Sequence, residues 1–193
     1  MNEKLTPVAN FGASLVRRGE IEEPMHAIGR FIAECFDKDG NLKWQDEFPN
    51  TVVVVGKNHM LNTEFAGSAY TVTGPFMGLI SSVSFSAIST ADTMASHAGW
   101  LEAGNANAPT YTAPRKTAVF SAASAGSIAL SAALSFGITG TGTVKGGFIV
   151  LGTGAVATID NTSGTLFSAG LFTGGDRAVV NLDTLNISWS CSL

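Results

Sequence analysis

Charge is distributed very unevenly along this chain of 193 residues. The run from Thr117 to Gly175 holds only two charged side chains, Lys145 and Asp160, whereas the first fifty residues hold fifteen of the twenty-six charges. Charged residues make up 13% of the chain, well below the usual fraction of about 25%. This pattern is unusual for a soluble enzyme or a free monomer. It is typical of a β-rich structural protein whose surface is largely covered by other subunits.

The net charge argues against a nucleic-acid-binding protein. It is −4, and a nucleic-acid partner requires a basic surface that displaces counterions from phosphates. The local basic pairs Arg17-Arg18 and Arg115-Lys116 are too short to line a phosphate-binding groove. We therefore expect no direct contact with nucleic acid.

One stretch is long enough to be a membrane span, because residues 118–144 contain no charge. Its internal pattern favours a strand. From Ile128 to Ile138 the apolar residues fall at every second position, with serines between several of them, which is the period of a half-buried strand. We expect no membrane partner.

Two features predict the compartment. The N-terminal sequence from Met1 to Leu5 lacks the apolar core of a signal peptide, which predicts synthesis and use without secretion. The two cysteines, Cys35 and Cys191, could pair in space, but two buried free thiols fit a reducing cytoplasm better.

The first 29 residues form a predicted N-terminal arm, and residues 30–193 form the body. Gly, Pro and charges interrupt any periodicity in the arm, so it cannot bury enough apolar surface alone to offset its ordering entropy. The segment is either a disordered tail or a segment ordered against a partner. The candidate contact residues are Phe11, Leu15 and Val16 as apolar anchors, with Arg17 and Arg18 as partners for carboxylates.

The body begins with a predicted hairpin. One strand runs over 31–37 and another over 42–48, and the Asp-Gly-Asn sequence between them is a strong turn signal. Trp44 and Phe48 are expected to share a face. The next segment, 51–66, is ambiguous, since 52–55 resembles a strand and 57–65 resembles a helix that ends before Gly67. We favour a short helix there.

The remaining chain predicts short antiparallel strands joined by Gly-rich turns. They are expected over residues 76–82, 116–122, 127–139, 143–151, 165–172, 177–180 and 184–192, with a short helix or turn over 89–97 and a loop over 104–114. The clearest is the last, where apolar and polar residues alternate strictly. The predicted fold class is mainly β, an antiparallel β-sandwich or jelly-roll-like body with one or two short helices and an extended N-terminal arm.

One motif imitates a cofactor site. Residues 152–157, Gly-Thr-Gly-Ala-Val-Ala, match the dinucleotide-binding fingerprint and follow a good strand. That chemistry requires a helix whose N-terminus faces the pyrophosphate, but a strand fragment and a turn follow here. We expect a hairpin turn and no cofactor.

No arrangement of side chains predicts catalysis or a metal site. The histidines, His26, His59 and His97, have no second ligand at a metal-binding spacing. His97 lies near Asp92 and Ser96, but no strand-to-helix elbow presents a nucleophilic serine. The carboxylates of the body are sparse and show no close pair. The three tryptophans could stack on sugars, although core or interface anchoring is their commoner use. We expect a protein that is not an enzyme.

Several segments resemble a group of tailed-bacteriophage virion proteins, in particular the capsid cement (decoration) proteins of short-tailed phages. The resemblance covers roughly residues 30–193, and its most specific block is Asp92–Trp100. It also includes residues 55–63, 78–80, 164–170 and 183–185. It implies a β-sandwich or jelly-roll module that oligomerises and clamps neighbouring major-capsid subunits.

The expected function is therefore a capsid cement protein on the exterior of the virion, assembled in the host cytoplasm. Its expected partners are the major capsid protein and further copies of itself, as a dimer or trimer. The alternative is a tail-fibre or receptor-binding module, in which loop aromatics such as Trp100 and Tyr111 contact host glycans. A hydrolytic enzyme on a β scaffold would require catalytic groups that only folding brings together.

Overall fold

The regular secondary structure of the protein consists of antiparallel strands and one short helix. The computed structural model describes residues 27–66 and 73–193. The elements in these ranges are β1 (Ile28–Phe36), β2 (Leu42–Val52), α1 (Val54–Glu64), β3 (Phe76–Ser81), β4 (Lys116–Thr117), β5 (Ser127–Ala129), β6 (Leu134–Gly137), β7 (Gly142–Leu151), β8 (Thr165–Leu171), β9 (Arg177–Val179) and β10 (Thr184–Ser192). The predicted class, a mainly β and sandwich-like antiparallel body with a short helix, is confirmed. Residues 1–26 of the predicted arm lie outside the described residues.

The first hairpin forms where the sequence predicts it. β1 and β2 pair antiparallel, and the turn between them is held by the side chain of Asp37. Its Oδ1 atom accepts the backbone N–H groups of Asp39 at 2.9 Å and Asn41 at 2.8 Å. Gly40 takes a positive φ of 84°, a conformation that glycine adopts without a steric penalty.

β2 joins the two halves of the sandwich-like body. The strands follow the order β4-β3-β7-β8-β2-β1-β10-β5, with β6 on β10 and β9 on β7. Most of β2 pairs with β1, but its last residues, Asn50–Val52, pair with β8. The sheet therefore curls over itself along this strand, and β1 comes to lie face to face with β7 and β8.

The curled sheet closes on the ring of Phe31, which is fully buried. On the opposite layer, Gly147 of β7 pairs with Gly170 of β8. A methyl group built on Gly170 would lie 3.1 Å from two carbons of the Phe31 ring and 2.7 Å from the carbonyl oxygen of Pro49. Only glycine leaves space for the ring at this position.

Aromatic rings continue from Phe31 in both directions through the main core. Phe31 stacks on Phe48 with ring centroids 5.0 Å apart, and Phe48 meets Phe172 edge to face at 4.8 Å. Trp189 lies edge-on to Phe31 at 6.4 Å. Trp44 also contacts Phe172, so Trp44 and Phe48 share a face as predicted. Such pairs contribute about 0.5–1.5 kcal/mol each beyond their burial.

A second core lies on the other face of the β3-β7-β8 layer. It is formed by residues of those strands, of the loops over 82–101 and 152–164, and of the junction between β2 and α1. They are Val53, Ile80, Met94, Trp100, Phe148, Val150, Ala155, Leu166 and Ala169. Neighbouring residues of β7 thus point to different cores, Phe148 to this one and Ile149 to the main core. Strands buried on both faces have near-continuous apolar sequences, which β7 and β8 show.

Three predicted elements differ from the structure. The single strand expected over 127–139 is two strands, β5 and β6. Ala129 pairs with Ser190 of β10, and Leu134 pairs with Ile187. The first two positions are five residues apart in sequence, whereas their partners on β10 are only three apart. Two extra residues therefore bulge out and interrupt the ladder. The strand expected over 116–122 is reduced to β4 and an isolated bridge at Phe120.

Residues 89–97 form turns, one of the two alternatives predicted there. The third difference is the start of the helix. The helix expected over 57–65 is confirmed as α1 but begins earlier, at Val54, so part of the Val52–Val55 run is helical. It packs on β8, where a methyl group on Gly56 would lie 2.4 Å from the carbonyl oxygen of Phe167. No helix in the described ranges combines enough length and apolar character to cross a membrane.

The segment that imitates a dinucleotide motif is a loop. It follows β7 and leads to β8, which pairs antiparallel with β7, and Gly152 and Gly154 take φ values of 88° and 82°. No helix follows the glycines. The predicted hairpin connection is therefore confirmed.

We expect Phe31→Ala to lower the free energy of unfolding by about 3–5 kcal/mol, because it empties the space between the two layers. Ile32→Ala is the matched control, since Ile32 is the next residue and its side chain is 43% exposed on the outer face. Its loss is expected to be about 1 kcal/mol or less. Chemical denaturation measures both. Equal losses would contradict the proposed closure on Phe31.

Candidate partner-binding surface

The residues predicted to contact the capsid, Phe11, Leu15, Val16, Arg17 and Arg18, lie outside the described residues. The structure therefore does not test them. What it describes is the surface next to the arm, because the described chain starts at Ala27 and β1 starts at Ile28.

The surface of the body includes a hairpin over residues 118–135, called here the uncharged hairpin. Thirteen of its eighteen residues are exposed and none is charged. A solvated protein surface normally carries charge on about 25–35% of its residues. An exposed surface of this length without a charge is the kind that a partner covers.

Local geometry explains why this segment forms a hairpin. Ser124 and Ser127 face each other across the two-residue turn Ala125-Gly126, whose φ values are 48° and 73°. Two positive φ values are the signature of a type I′ turn, whose twist matches that of paired strands. Beyond the turn, the backbone N–H of Ser121 donates to the carbonyl oxygen of Ala129 at 3.0 Å. The backbone N–H of Ser131 donates to the carbonyl oxygen of Val119 at 2.9 Å.

A groove of about 430 Å³ runs beside the uncharged hairpin. Its floor and walls come from three places: the hairpin itself, the end of β10 with Ser190 and Ser192, and the start of β1 with Ile28 and Arg30. The groove therefore begins where the arm joins the body. Arg30 also pairs with Glu47 on the outer face of β2.

Exposed apolar side chains surround the same point. Ile28 is 63% exposed and Leu193 is 58% exposed. Leu193 also lines a second, smaller depression with Ala27, Met60 and Leu61. Apolar residues that cluster at one end of a body with an adjoining arm indicate a contact surface.

The charged side chains of the body, in contrast, hold loops in place. Arg115 and Glu102 form a buried pair, with Nε to Oε1 at 2.8 Å and Nη2 to Oε2 at 2.6 Å. Arg115 also donates to the carbonyl oxygens of Val156 at 3.1 Å and Asn161 at 2.7 Å. Glu102 accepts the N–H of Asp160 at 2.8 Å. This network ties the 152–164 loop to the rest of the outer layer.

The block Asp92–Trp100 is a second structural unit. Trp100 is fully buried and its indole N–H donates to Asp92 Oδ2 at 2.9 Å, which also accepts the N–H of Ser89 at 2.9 Å. His97 stacks on Trp100, and its Nδ1 lies 3.0 Å from the carbonyl oxygen of Trp100. Asp92 and His97 thus serve the packing of Trp100.

Two further carboxylates fix turns beside β9. Asp183 is buried, accepts the N–H of Val180 at 2.8 Å and pairs with Lys43. The Cys35 thiol lies 3.8 Å from the same carboxylate, and burial, with Asp183 beside it, raises the pKa of Cys35 to about 12. Cys35 and Cys191 are both buried free thiols, as predicted. Asp46 similarly accepts Arg177 Nη2 at 2.6 Å.

The aromatic residues proposed for glycan contact are buried. Trp100 is 0% exposed and Tyr111 is 3% exposed, so neither ring can stack on a sugar. Within the described ranges, no group of three or more His, Cys, Asp or Glu side chains is placed to hold a metal ion. Sequence analysis missed the role of Arg115, whose only signal is a cation in a Pro-containing loop.

We expect Arg115→Met to lower the free energy of unfolding by about 3–5 kcal/mol, because it leaves the Glu102 carboxylate buried without a partner. Burial already raises the pKa of Glu102, against the opposing effect of Arg115. An acid with a raised pKa in the folded state loses stability as the pH rises through that pKa. The gap between variant and wild type should therefore widen from mildly acidic to mildly alkaline pH.

Urea denaturation at several pH values measures this effect. Glu102→Gln combined with Arg115→Met should recover part of the loss and remove the pH dependence of the gap. Lys145→Met is the control, since its pair with Asp176 is partly exposed and is expected to contribute about 1 kcal/mol or less. If the difference in unfolding free energy between Arg115→Met and the wild type did not change with pH, the unpaired Glu102 carboxylate would not be the cause of the lost stability.

Comparison with known proteins gives no family for this chain. No family model, curated protein or solved structure matches it. Its function must therefore be argued from its own residues, its geometry and the resemblance seen in its sequence.

Proposed function

We propose that the protein is a non-enzymatic capsid cement protein of a tailed bacteriophage, which binds across neighbouring major capsid subunits and stabilises the assembled shell. The observation that carries the proposal is the uncharged, exposed hairpin with its groove, placed where the arm joins the body. The sequence resemblance to phage virion proteins supports the same conclusion. So does the use of the buried charged groups, Glu102, Arg115, Asp46 and Asp183, to hold loops and turns.

The mechanism is stabilisation by binding. Each copy would bury on the order of 800 Å² on its neighbours, and many symmetric copies would add their effects. A protein that binds only the expanded shell stabilises that state by mass action and so resists the pressure of packaged DNA. In this proposal the arm binds the capsid. Its apolar anchors are Phe11, Leu15 and Val16, and Arg17 and Arg18 pair with capsid carboxylates.

We expect deletion of residues 2–26 to abolish binding to expanded capsids while the body stays folded, because β1 begins only at Ile28. Capsid occupancy after co-sedimentation measures binding, and circular dichroism with a thermal melt checks the fold. The charge reversals Arg17→Glu and Arg18→Glu should together weaken binding, with Lys38→Glu on the exposed turn between β1 and β2 as the matched charge-reversal control. Unchanged occupancy after the deletion would refute the role of the arm.

The number of copies of the protein in each virion distinguishes a cement protein from a tail-fibre or receptor-binding module. We expect quantitative mass spectrometry of purified virions to give a large, lattice-compatible ratio to the major capsid protein, because a cement protein occupies repeated sites of the shell. A few copies to a few tens per particle would place the protein in the tail or fibres. Trp100 and Tyr111, two aromatic residues named for glycan contact in that alternative, are buried.

A further inference from the structure

Within the part of the chain that the structure describes, the uncharged hairpin ends the sheet with an unpaired edge. β5 is the last strand of the main path, and the segment 119–124 folds back on it. Among the described residues, the backbone hydrogen bonds of this segment run only to 127–131, through Ser121, Ser124, Ser127 and Ser131. In an antiparallel pair, alternate backbone groups point away from the partner. The backbone N–H and C=O groups of Phe120 and Ala122 thus point away from the hairpin.

Within residues 27–66 and 73–193, this edge lacks the charges, prolines and covering segments that often protect a sheet edge. Natural proteins blunt exposed edges with charged side chains, especially lysine, with proline, or with a covering helix or loop. Residues 118–135 contain no charge and no proline. An edge without protection is a template for pairing with another strand, so a partner that adds a strand here is the occupant that the geometry favours.

We propose that a second copy of this chain fills the edge, with the two 119–124 segments paired antiparallel across a two-fold axis. In such an isologous contact each residue near the axis faces its own copy or a close neighbour of it. Any charge in the segment would then meet a like charge, which destabilises cross-strand pairs. A segment without charge satisfies this requirement, even though the whole chain carries a net charge of −4.

The size of the surface fits a stable dimer. The surface around the edge contains twenty residues that are exposed or half-buried. Thirteen exposed and four half-buried residues belong to the hairpin, and the other three are the exposed residues Ile28, Arg30 and Leu193 beside it. Specific interfaces use about 20–30 residues on each side. The groove is lined by Ser121, Ala122 and Ser124 on the hairpin side, so an added strand would lie beside an open depression and meet no bulky rim.

The inference is separate from the capsid assignment, because it concerns the purified protein alone. Analytical ultracentrifugation of the full-length chain over a dilution series should show a species of twice 19.9 kDa. Ala122→Lys and Ala122→Glu, each alone, should weaken dimerisation by about tenfold or more, since each places like charges at the shared edge. Mixing the two variants should restore a dimer that contains one copy of each.

The mixture distinguishes pairing at this edge from a folding defect, because a misfolded variant is not rescued by another. Thr158→Lys, on an exposed loop of the outer layer, is the control and should leave the dimer unchanged. A wild-type protein that stays monomeric, or forms trimers, would overturn the proposal. So would variants of Ala122 that dimerise as tightly as the wild type. Capsid binding by a monomer would leave the proposed function intact and refute only this inference.

Discussion

The contact of the Phe31 ring with the Gly147–Gly170 pair closes the sheet, and the rest of the structure depends on it. β2 can pair with β1 along most of its length and with β8 at its end only if the two layers lie face to face. The absence of a side chain at Gly170 lets a large ring occupy the space between the layers. Phe48, Phe172 and Trp189 then pack around this ring, so one close approach organises the aromatic core.

Closure of the sheet also explains most of the missing charge. β7 and β8 are buried on both faces, by the main core on one side and by the loop layer with Trp100 on the other. The low charge of residues 142–171 is therefore a consequence of folding within one chain and requires no partner. What remains unexplained by folding is the hairpin over 118–135, which is exposed and still uncharged. The argument for a partner rests on that hairpin rather than on the whole charge-poor run.

The sequence predicts those elements in which local pattern and tertiary contact agree. β10 alternates strictly between apolar and polar residues, and it is found with the predicted bounds, Thr184–Ser192. The Asp-Gly-Asn turn likewise predicts the first hairpin. The break between β5 and β6 has no such signal, because the alternation from Ile128 to Ile138 continues through the two extra residues. A bulge is set by the register of the partner strand, which a single segment does not contain.

The candidate surface was harder to predict for related reasons. The turn Ala125-Gly126 adopts the conformation usually taken by Asn-Gly, but alanine gives no turn signal of its own. The exposure of the hairpin depends on where the sheet ends, and the sheet order is a property of the whole fold. The same holds for Arg115: its burial follows from the position of Glu102 on the neighbouring loop, thirteen residues away in sequence.

The two proposed interfaces reinforce each other geometrically. Ile28 lines the groove beside the unpaired edge, so a two-fold pairing at this edge would bring the N-terminal segments of both copies to the same interface. Two binding segments on one rigid body engage neighbouring sites with a raised effective concentration, and their combined affinity exceeds that of either alone. An arm that binds weakly by itself could then hold a repeating shell. The uncharged edge would then contribute to shell binding through this pairing, because the pairing determines how many arms act together.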